Sequence, residues 1–186
     1  MPPKVKITKE DIIDAAVGIV KKEGAHALGA RAIASALGCS TQPIFSNFES
    51  MEALKLAVVK KADELCSDYI AREIESGAYP AYKASGMAYI RFAQEEKELF
   101  KLLYMRDRTG EDTSLDSPTN DLMHDFVRSN TGLDIDTAKL FHLEMWACVH
   151  GIATMFATSF LDLDRELVSG MISDIYNGLK KRYEVE

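Results

Sequence analysis

A glycine set between two short helical patterns constrains this chain more than any other feature. Arg31 to Leu37 carries an apolar stripe at Ile33, Ala34 and Leu37, and Gly38 follows at once. A helix stopping there wants one residue in the left-handed region, which glycine enters without a Cβ penalty. Ser40 then offers an N-cap hydroxyl to a second short helix. That helix can bury Ile44, Phe45 and Phe48, which leaves its opening residues Thr41, Gln42 and Pro43 facing outward. Two short helices joined by a tight glycine turn make a helix-turn-helix, whose second helix enters the major groove of DNA with its N-terminal residues leading.

The flanks suit such a unit. Met1 to Ile7 is a short basic arm with Lys4 and Lys6, placed for phosphate or minor-groove contact. Thr8 with Asp11 three residues on reads as a capping box. Ile12, Ile13, Ala16, Val17 and Val20 recur at helical spacing to about Glu23, with Gly24 as the stop. This first helix braces the pair that follows. Ser50 can cap a longer helix whose stripe of Leu54, Ala57, Val58 and Leu65 runs to about Ile74 before Gly77 to Pro80 breaks it. A connector of that length can carry a distant event to the DNA-reading head.

Net charge is −7, which by itself argues against a DNA binder. Its distribution argues the other way. Residues 1–61 hold nine Lys/Arg and six Asp/Glu, net +3, leaving 13 basic and 23 acidic residues in the remainder, net −10. Positive charge sits where phosphates are to be met, and that term supplies most non-specific affinity for DNA.

Beyond the connector, the pattern is helical throughout. A fifth helix begins at Pro80 or Ala81 with Met87, Ala88, Ile90, Phe92 and Ala93 apolar. Gln94 to Glu98 reads as a bend before Leu99, Phe100, Leu102, Leu103 and Met105, and Asp107 to Ser117 as a loop. Ser117-Pro118 is a cap followed by proline at the first helical position, leading into Leu122, Met123, Phe126 and Val127, and Gly132 closes that helix. Asp134 or Asp136 starts a long helix through Phe160, and Asp162 or Asp164 caps the last, whose face is Leu167, Val168, Met171, Ile172, Ile175, Tyr176 and Leu179. Two long apolar helices at the C-terminal end are good material for a four-helix dimer interface.

Gly38-Cys-Ser-Thr-Gln-Pro-Ile-Phe-Ser-Asn-Phe-Glu-Ser-Met-Glu-Ala-Leu54 closely resembles the recognition segment of the tetracycline-repressor (TetR) family, and the likeness extends back through Ile33-Ala34 to Ala15-Ala16 and Gly24. It covers the first third of the chain. The resemblance implies an all-helical, homodimeric transcription factor, usually a repressor released by a small ligand. Three positions depart from the family pattern. Phe45 stands where tyrosine is usual, Met51 where lysine is common, and Gly29 where a threonine or serine often caps the second helix. Each change weakens a backbone contact, and one lost phosphate charge lowers the salt slope by about 0.9.

The residues set against the duplex follow from their chemistry. Gln42 is placed to read a base, because its amide can bond adenine N6 and N7 together. Thr41 suits a phosphate or a thymine methyl, and Pro43 stiffens the entry turn. Arg31 suits a phosphate, since the preceding helix crosses the backbone. Ser46 and Asn47 offer neutral phosphate bonds. Ser40, Phe45, Lys4 and Lys6 complete the set.

In the C-terminal part, His142, Trp146 and His150 share a helix face, and Trp146 to Gly151 resembles a segment frequent in the family's eighth helix. Phe92, Met105, Met123, Phe126, Trp146 and His150 read either as the lining of a ligand pocket between helices or as ordinary core and dimer packing. The ligand expected is small and largely apolar. No metal, cofactor or catalytic residue is expected. His142 and His150 are about 12 Å apart along a helix, and HExxH, GxSxG, P-loop and GxGxxG patterns are absent. His124, near Asp121 and Asp125, reads as a solvated face. Cys39, Cys66 and Cys148 form no CxxC pair and read as reduced thiols of a cytoplasmic protein. No signal peptide is apparent, and Met145 to Leu161 falls short of the ~20 apolar residues of a membrane span.

The expectation is an all-α chain of about nine helices. A three-helix DNA-binding domain over 1–54 joins a ligand-binding and dimerisation domain over 55–186 through the helix about 50–74. Two heads, paired through the last two helices, would read an inverted repeat in double-stranded DNA, and a ligand would release it. The alternative is a helical small-molecule-binding protein or enzyme with a vestigial head.

Overall fold

The computed structural model of the chain describes residues 7–109 and 121–185, which form nine α-helices and one 3₁₀ turn. Lys4, Lys6 and the Ser117-Pro118 helix start lie outside the described residues. The chain divides into two compact units, residues 1–67 with 96–106, and residues 68–95 with 107–186.

The first unit holds α1 (Lys9–Glu23), the 3₁₀ turn (Ala25–Ala27), α2 (Ala30–Ala36), α3 (Gln42–Asn47), the opening of α4 (Met51–Glu75) and α6 (Lys97–Tyr104). The capping box forms as the spacing predicts. The Asp11 N–H donates to Thr8 Oγ1 at 3.1 Å, and the Thr8 N–H donates to Asp11 Oδ2 at 2.8 Å. Those bonds hold the Asp11 carboxyl below its ordinary value, so the cap is complete above the carboxylate range and is lost as pH falls through it. At the far end of α1, Gly24 takes φ 86°, and a Cβ there would meet Glu98 Oε2 at 2.8 Å. Glycine is thus required by conformation, since the Glu98 carboxylate is the tip of a flexible side chain and can move aside. Around α1 the core closes with Ile12, Ala16, Val20, Ile33, Ile44, Leu54, Val58, Leu99 and Phe100, all buried.

Gly38 terminates α2 at φ 62°, and a Cβ there meets nothing within 4 Å. The whole cost of filling the position is therefore backbone strain. Gly38→Ala is expected to destabilise the first unit by about 1 kcal/mol, and Gly38→Asn by less, as urea titration of the two variants will report.

Two details of α3 differ from the sequence expectation. Ser40 does not cap it. Thr41 holds the N-cap position with no side-chain bond, because Pro43 has no N–H to offer and the Ile44 N–H goes to the Thr41 carbonyl at 3.1 Å. Phe45 is not buried but 55% exposed. A six-residue helix turns one face inward, and Ile44 with Phe48 four residues on fill it. Ser50 does cap α4, accepting the Ala53 N–H at 3.1 Å.

Cys66 is 2% exposed on α4, with its Sγ 3.7 Å from Tyr104 Oη, and burial pushes its thiol up to about 11. In the native protein at pH 8, iodoacetamide is expected to modify Cys39 and spare Cys66 until denaturant is added, read by peptide mass spectrometry.

The second unit holds the end of α4, α5 (Ala81–Glu95), α7 (Asp121–Thr131), α8 (Ile135–Ala157) and α9 (Arg165–Arg182). The α5 helix packs on both α8 and α9, and α7 packs on α8. Gly86 lies on this contact, where a Cβ would come within 3.4 Å of Val149 Cγ2. Two tyrosine–histidine bonds fix the register of α5 on α8: Tyr82 Oη to His142 Nδ1 and Tyr89 Oη to His150 Nδ1, both 2.9 Å. Asp134 caps α8 and Asp164 caps α9.

The α8 helix ends at Ala157, short of Phe160. Ser159 enters the left-handed region at φ 55°, and the Phe160 N–H turns back to the Met155 carbonyl at 2.9 Å. By length and composition α8 is apolar enough to cross a bilayer. Its histidine bonds to α5 and its Glu144–Arg182 ion pair at 2.7 Å place it as a packed helix within its unit.

Candidate nucleic-acid interface

In the first unit, α1 packs against both α2 and α3. Ile44 and Phe48 anchor α3 inward, and Lys9 Nζ lies 4.9 Å over the Phe48 ring. Burying a side chain of this size contributes roughly 1.5–3 kcal/mol, enough to hold a helix too short to persist alone. Exposed on the other side are Gln42, Phe45 and Ser46, at spacings of three and four residues and so on one face. Thr41, Pro43 and Asn47 are half-buried at its edges, and Ser40 is exposed in the preceding turn.

The hydrogen bonding separates these residues further. Ser46 Oγ donates to the Gln42 carbonyl at 2.9 Å, and Asn47 Nδ2 donates to the Pro43 carbonyl at 2.8 Å. The Ser46 hydroxyl proton is therefore engaged inside the helix and must be released before it can reach a phosphate. The Gln42 amide makes no hydrogen bond among the described residues, so both its donor and its acceptor are available for a base edge. Phe45 beside it presents an apolar ring, the kind of surface that meets a thymine methyl. Arg31, second in α2, is exposed with no hydrogen bond or ion pair among the described residues. Gly29 sits at the N-cap of α2 and supplies no side-chain bond. Near the start of α4, Lys55 is paired with Glu52 at 2.8 Å, and Met51 brings no charge.

The second unit contains a cavity of about 210 Å³ lined by Glu73, Met87, Ile90, Arg91, Gln94, Glu95, Phe156, Leu163, Arg165 and Val168. Of the residues read as pocket lining, Phe92, Met105, Phe126, Trp146 and His150 do not border it. Phe92 is fully buried, edge-on to Tyr69 at 5.4 Å. Phe126 stacks on Tyr82 at 5.8 Å. Trp146 is 40% exposed and stacks on His150 at 4.5 Å. His150 bonds Tyr89, and burial holds its imidazole below the ordinary histidine value. Met105 is exposed in the first unit, and the Met123 side chain lies outside the described residues.

Among the lining residues, Glu73 is 4% exposed and bonds Arg91 Nη1 and Arg165 Nη2, both at 2.7 Å. Neither arginine was legible as its partner, because 18 and 92 residues separate them from it. Glu73 itself left a signal. It continues the buried spacing Leu54, Val58, Ala62, Cys66 down α4, so a charge stands on an apolar stripe.

Comparison with known proteins agrees with this architecture. Residues 12–58 match the family described as bacterial regulatory proteins, tetR family, and residues 82–173 match the tetracyclin repressor-like C-terminal domain. An uncharacterised HTH-type transcriptional regulator of Mycobacterium tuberculosis is 23% identical over 184 residues, covering 95% of this chain and 84% of the relative. A solved protein of unknown function from Rhodococcus sp. RHA1 superposes with a TM-score of 0.76 at 22% identity, covering 96% of this chain and 98% of that one. A TetR-like transcriptional regulator from the same organism superposes with a TM-score of 0.67 at 15% identity, covering 95% and 96%.

Proposed function

Since this chain belongs to the TetR family of bacterial transcription regulators, we propose that it acts in the cytoplasm as a homodimeric repressor, reading an inverted-repeat operator and released from it by a small, largely apolar effector. The observation that carries the reading is the outward face of α3, where an exposed Gln42 amide with no hydrogen bond among the described residues stands beside exposed Phe45. A folded core holds that face in place, so the side chains are presented before DNA arrives.

Pairing through α8 and α9 is supported by large apolar side chains left in solvent on those helices. Leu140 is 42%, Trp146 40% and Leu167 49% exposed. A second copy covering them would set two α3 helices at a fixed separation, about one turn of duplex or a multiple of it. Because α4 is one continuous helix shared by both units, a conformer of the second unit favoured by the effector would alter that separation. The response would then equal the effector's differential affinity for the two conformers.

Mobility-shift assays with duplex taken from upstream of the chain's own gene, at two salt concentrations, test the central claim. Sequence-selective binding that weakens steeply with salt is expected; failure to bind any duplex at low salt would remove the reading. Pairing is tested separately by sedimentation. The double change Trp146→Glu with Leu167→Glu is expected to give a helical monomer that has lost most operator affinity, and an unchanged dimer would move the interface elsewhere.

A further inference from the structure

The reading of the second unit as an effector sensor leaves open what its cavity accepts, and the charged groups that line it answer. Both Glu73 oxygens are taken, one by Arg91 and one by Arg165. Each guanidinium is also held against an aromatic ring, Arg91 5.3 Å from the Tyr69 centroid and Arg165 5.7 Å from that of Tyr79. The arrangement is fixed by packing as well as by charge. Two guanidiniums bring ten N–H donors to one carboxylate, so donors outnumber acceptors. Arg91 Nε is buried and makes no hydrogen bond. The other carboxylate at the cavity, Glu95, stands 4.0 Å from that nitrogen, is half exposed, and accepts the Tyr69 hydroxyl at 2.9 Å. It does not supply the missing acceptor. The Asp164 side chain already occupies the Leu167 N–H at the start of α9 at 2.8 Å, so the helix end adds nothing to the count.

Beside these charged groups, Ile90, Phe156 and Val168 also line the cavity and give it apolar surface. A space of about 210 Å³ is larger than the ~150 Å³ that takes a benzene ring and smaller than the ~300–1,000 Å³ of drug-sized sites. We propose that this cavity binds a small monocarboxylate with one aromatic or branched apolar body, its carboxylate meeting Arg91 and Arg165 and its body lying on Ile90, Phe156 and Val168. A cation is disfavoured because every strong buried acceptor there is already engaged, whereas an added carboxylate gains charge-assisted bonds from donors now in excess. Closing on such a ligand would pull together α4, α5 and α9, the three helices that carry the cluster, and α4 is the helix shared with the first unit.

The test is calorimetric titration of the full-length protein, without DNA, using benzoate, phenylacetate and 3-methylbutanoate, each beside its neutral amide. At least one acid is expected to bind at concentrations up to about 10 mM, a range suited to a ligand of so few atoms, with its amide tenfold or more weaker. Arg165→Gln, at a half-exposed position that tolerates the change, is expected to weaken the acid at least tenfold. Leu163→Trp, which fills the cavity from its rim, is expected to abolish binding. Equal affinity for acid and amide, binding indifferent to Leu163→Trp, or no acid bound at all would overturn the proposal. Operator release is measured separately. An acid that binds in this way but leaves DNA affinity unchanged supports the site and removes the effector-release reading, whereas loss of DNA binding in every assay leaves the site untouched.

Discussion

Replacing Arg91 and Arg165 together by methionine is expected to destabilise the second unit by about 3–5 kcal/mol, while adding Glu73→Met to the same protein restores most of that loss. The reason is where the charges sit. The Glu73 side chain is 5% exposed, against 34% for Arg91 and 58% for Arg165. Stripped of both partners, the carboxylate is an ion buried without compensation, whereas the triple variant leaves no charge at the buried Glu73 position. Urea titration of the three proteins measures the difference. Equal stabilities for the double and triple variants would show that Glu73 carries no buried charge that matters.

Gln42→Ala is expected to weaken operator binding by about 1–3 kcal/mol, roughly 5- to 150-fold, and to leave binding to bulk DNA and the salt slope unchanged. The side chain is exposed and makes no hydrogen bond among the described residues, so its removal costs the fold little, and it carries no charge, so no counterion release is lost. Arg31→Ala is the contrasting change. It should weaken every duplex alike and flatten the slope by about 0.9. Competition shift assays across a salt series separate the two. A uniform loss with Gln42→Ala would mean that this glutamine positions the protein and reads no base.

Much of the first unit was legible because its signals are local. A capping box needs residues three apart, and Thr8 with Asp11 forms one. The positive φ of Gly24, Gly38, Gly77 and Gly132 falls where the apolar stripes stop. The stripe of α5 is buried throughout and that of α1 at all but Ile13, while α4 buries Leu54 and Val58 with Ala62 and Cys66 and leaves Ala57 and Leu65 half-buried. Errors came where two local rules compete. Ser40 has the chemistry of a cap, yet Pro43 removes the donor it would have served. Phe45 has the chemistry of a core residue, yet Ile44 and Phe48 had already claimed the one inward face that a helix of six residues possesses.

Contacts remote in sequence were not legible at all. Tyr82 with His142, Tyr89 with His150, and Glu73 with Arg91 and Arg165 join residues from 18 to 92 positions apart. No period links such pairs, and a side chain's type does not name its partner. Aromatic and methionine content therefore suggested a largely apolar pocket with few polar groups, while the cavity beside Glu73 is lined by two arginines and two glutamates as well.

What the amino-acid order determined alone is the string of helices, their stops, and the short helix that leads with Gln42. These follow from hydrogen bonds and burial patterns closed within a few residues, where chain entropy is cheaply overcome. What only the tertiary structure decided is which helix faces turn inward, that Phe45 joins the outward set, and that one acidic residue of α4 gathers two arginines from α5 and α9. Those outcomes depend on which surfaces meet once distant segments collapse together, and packing at close density settles them after the helices are already specified.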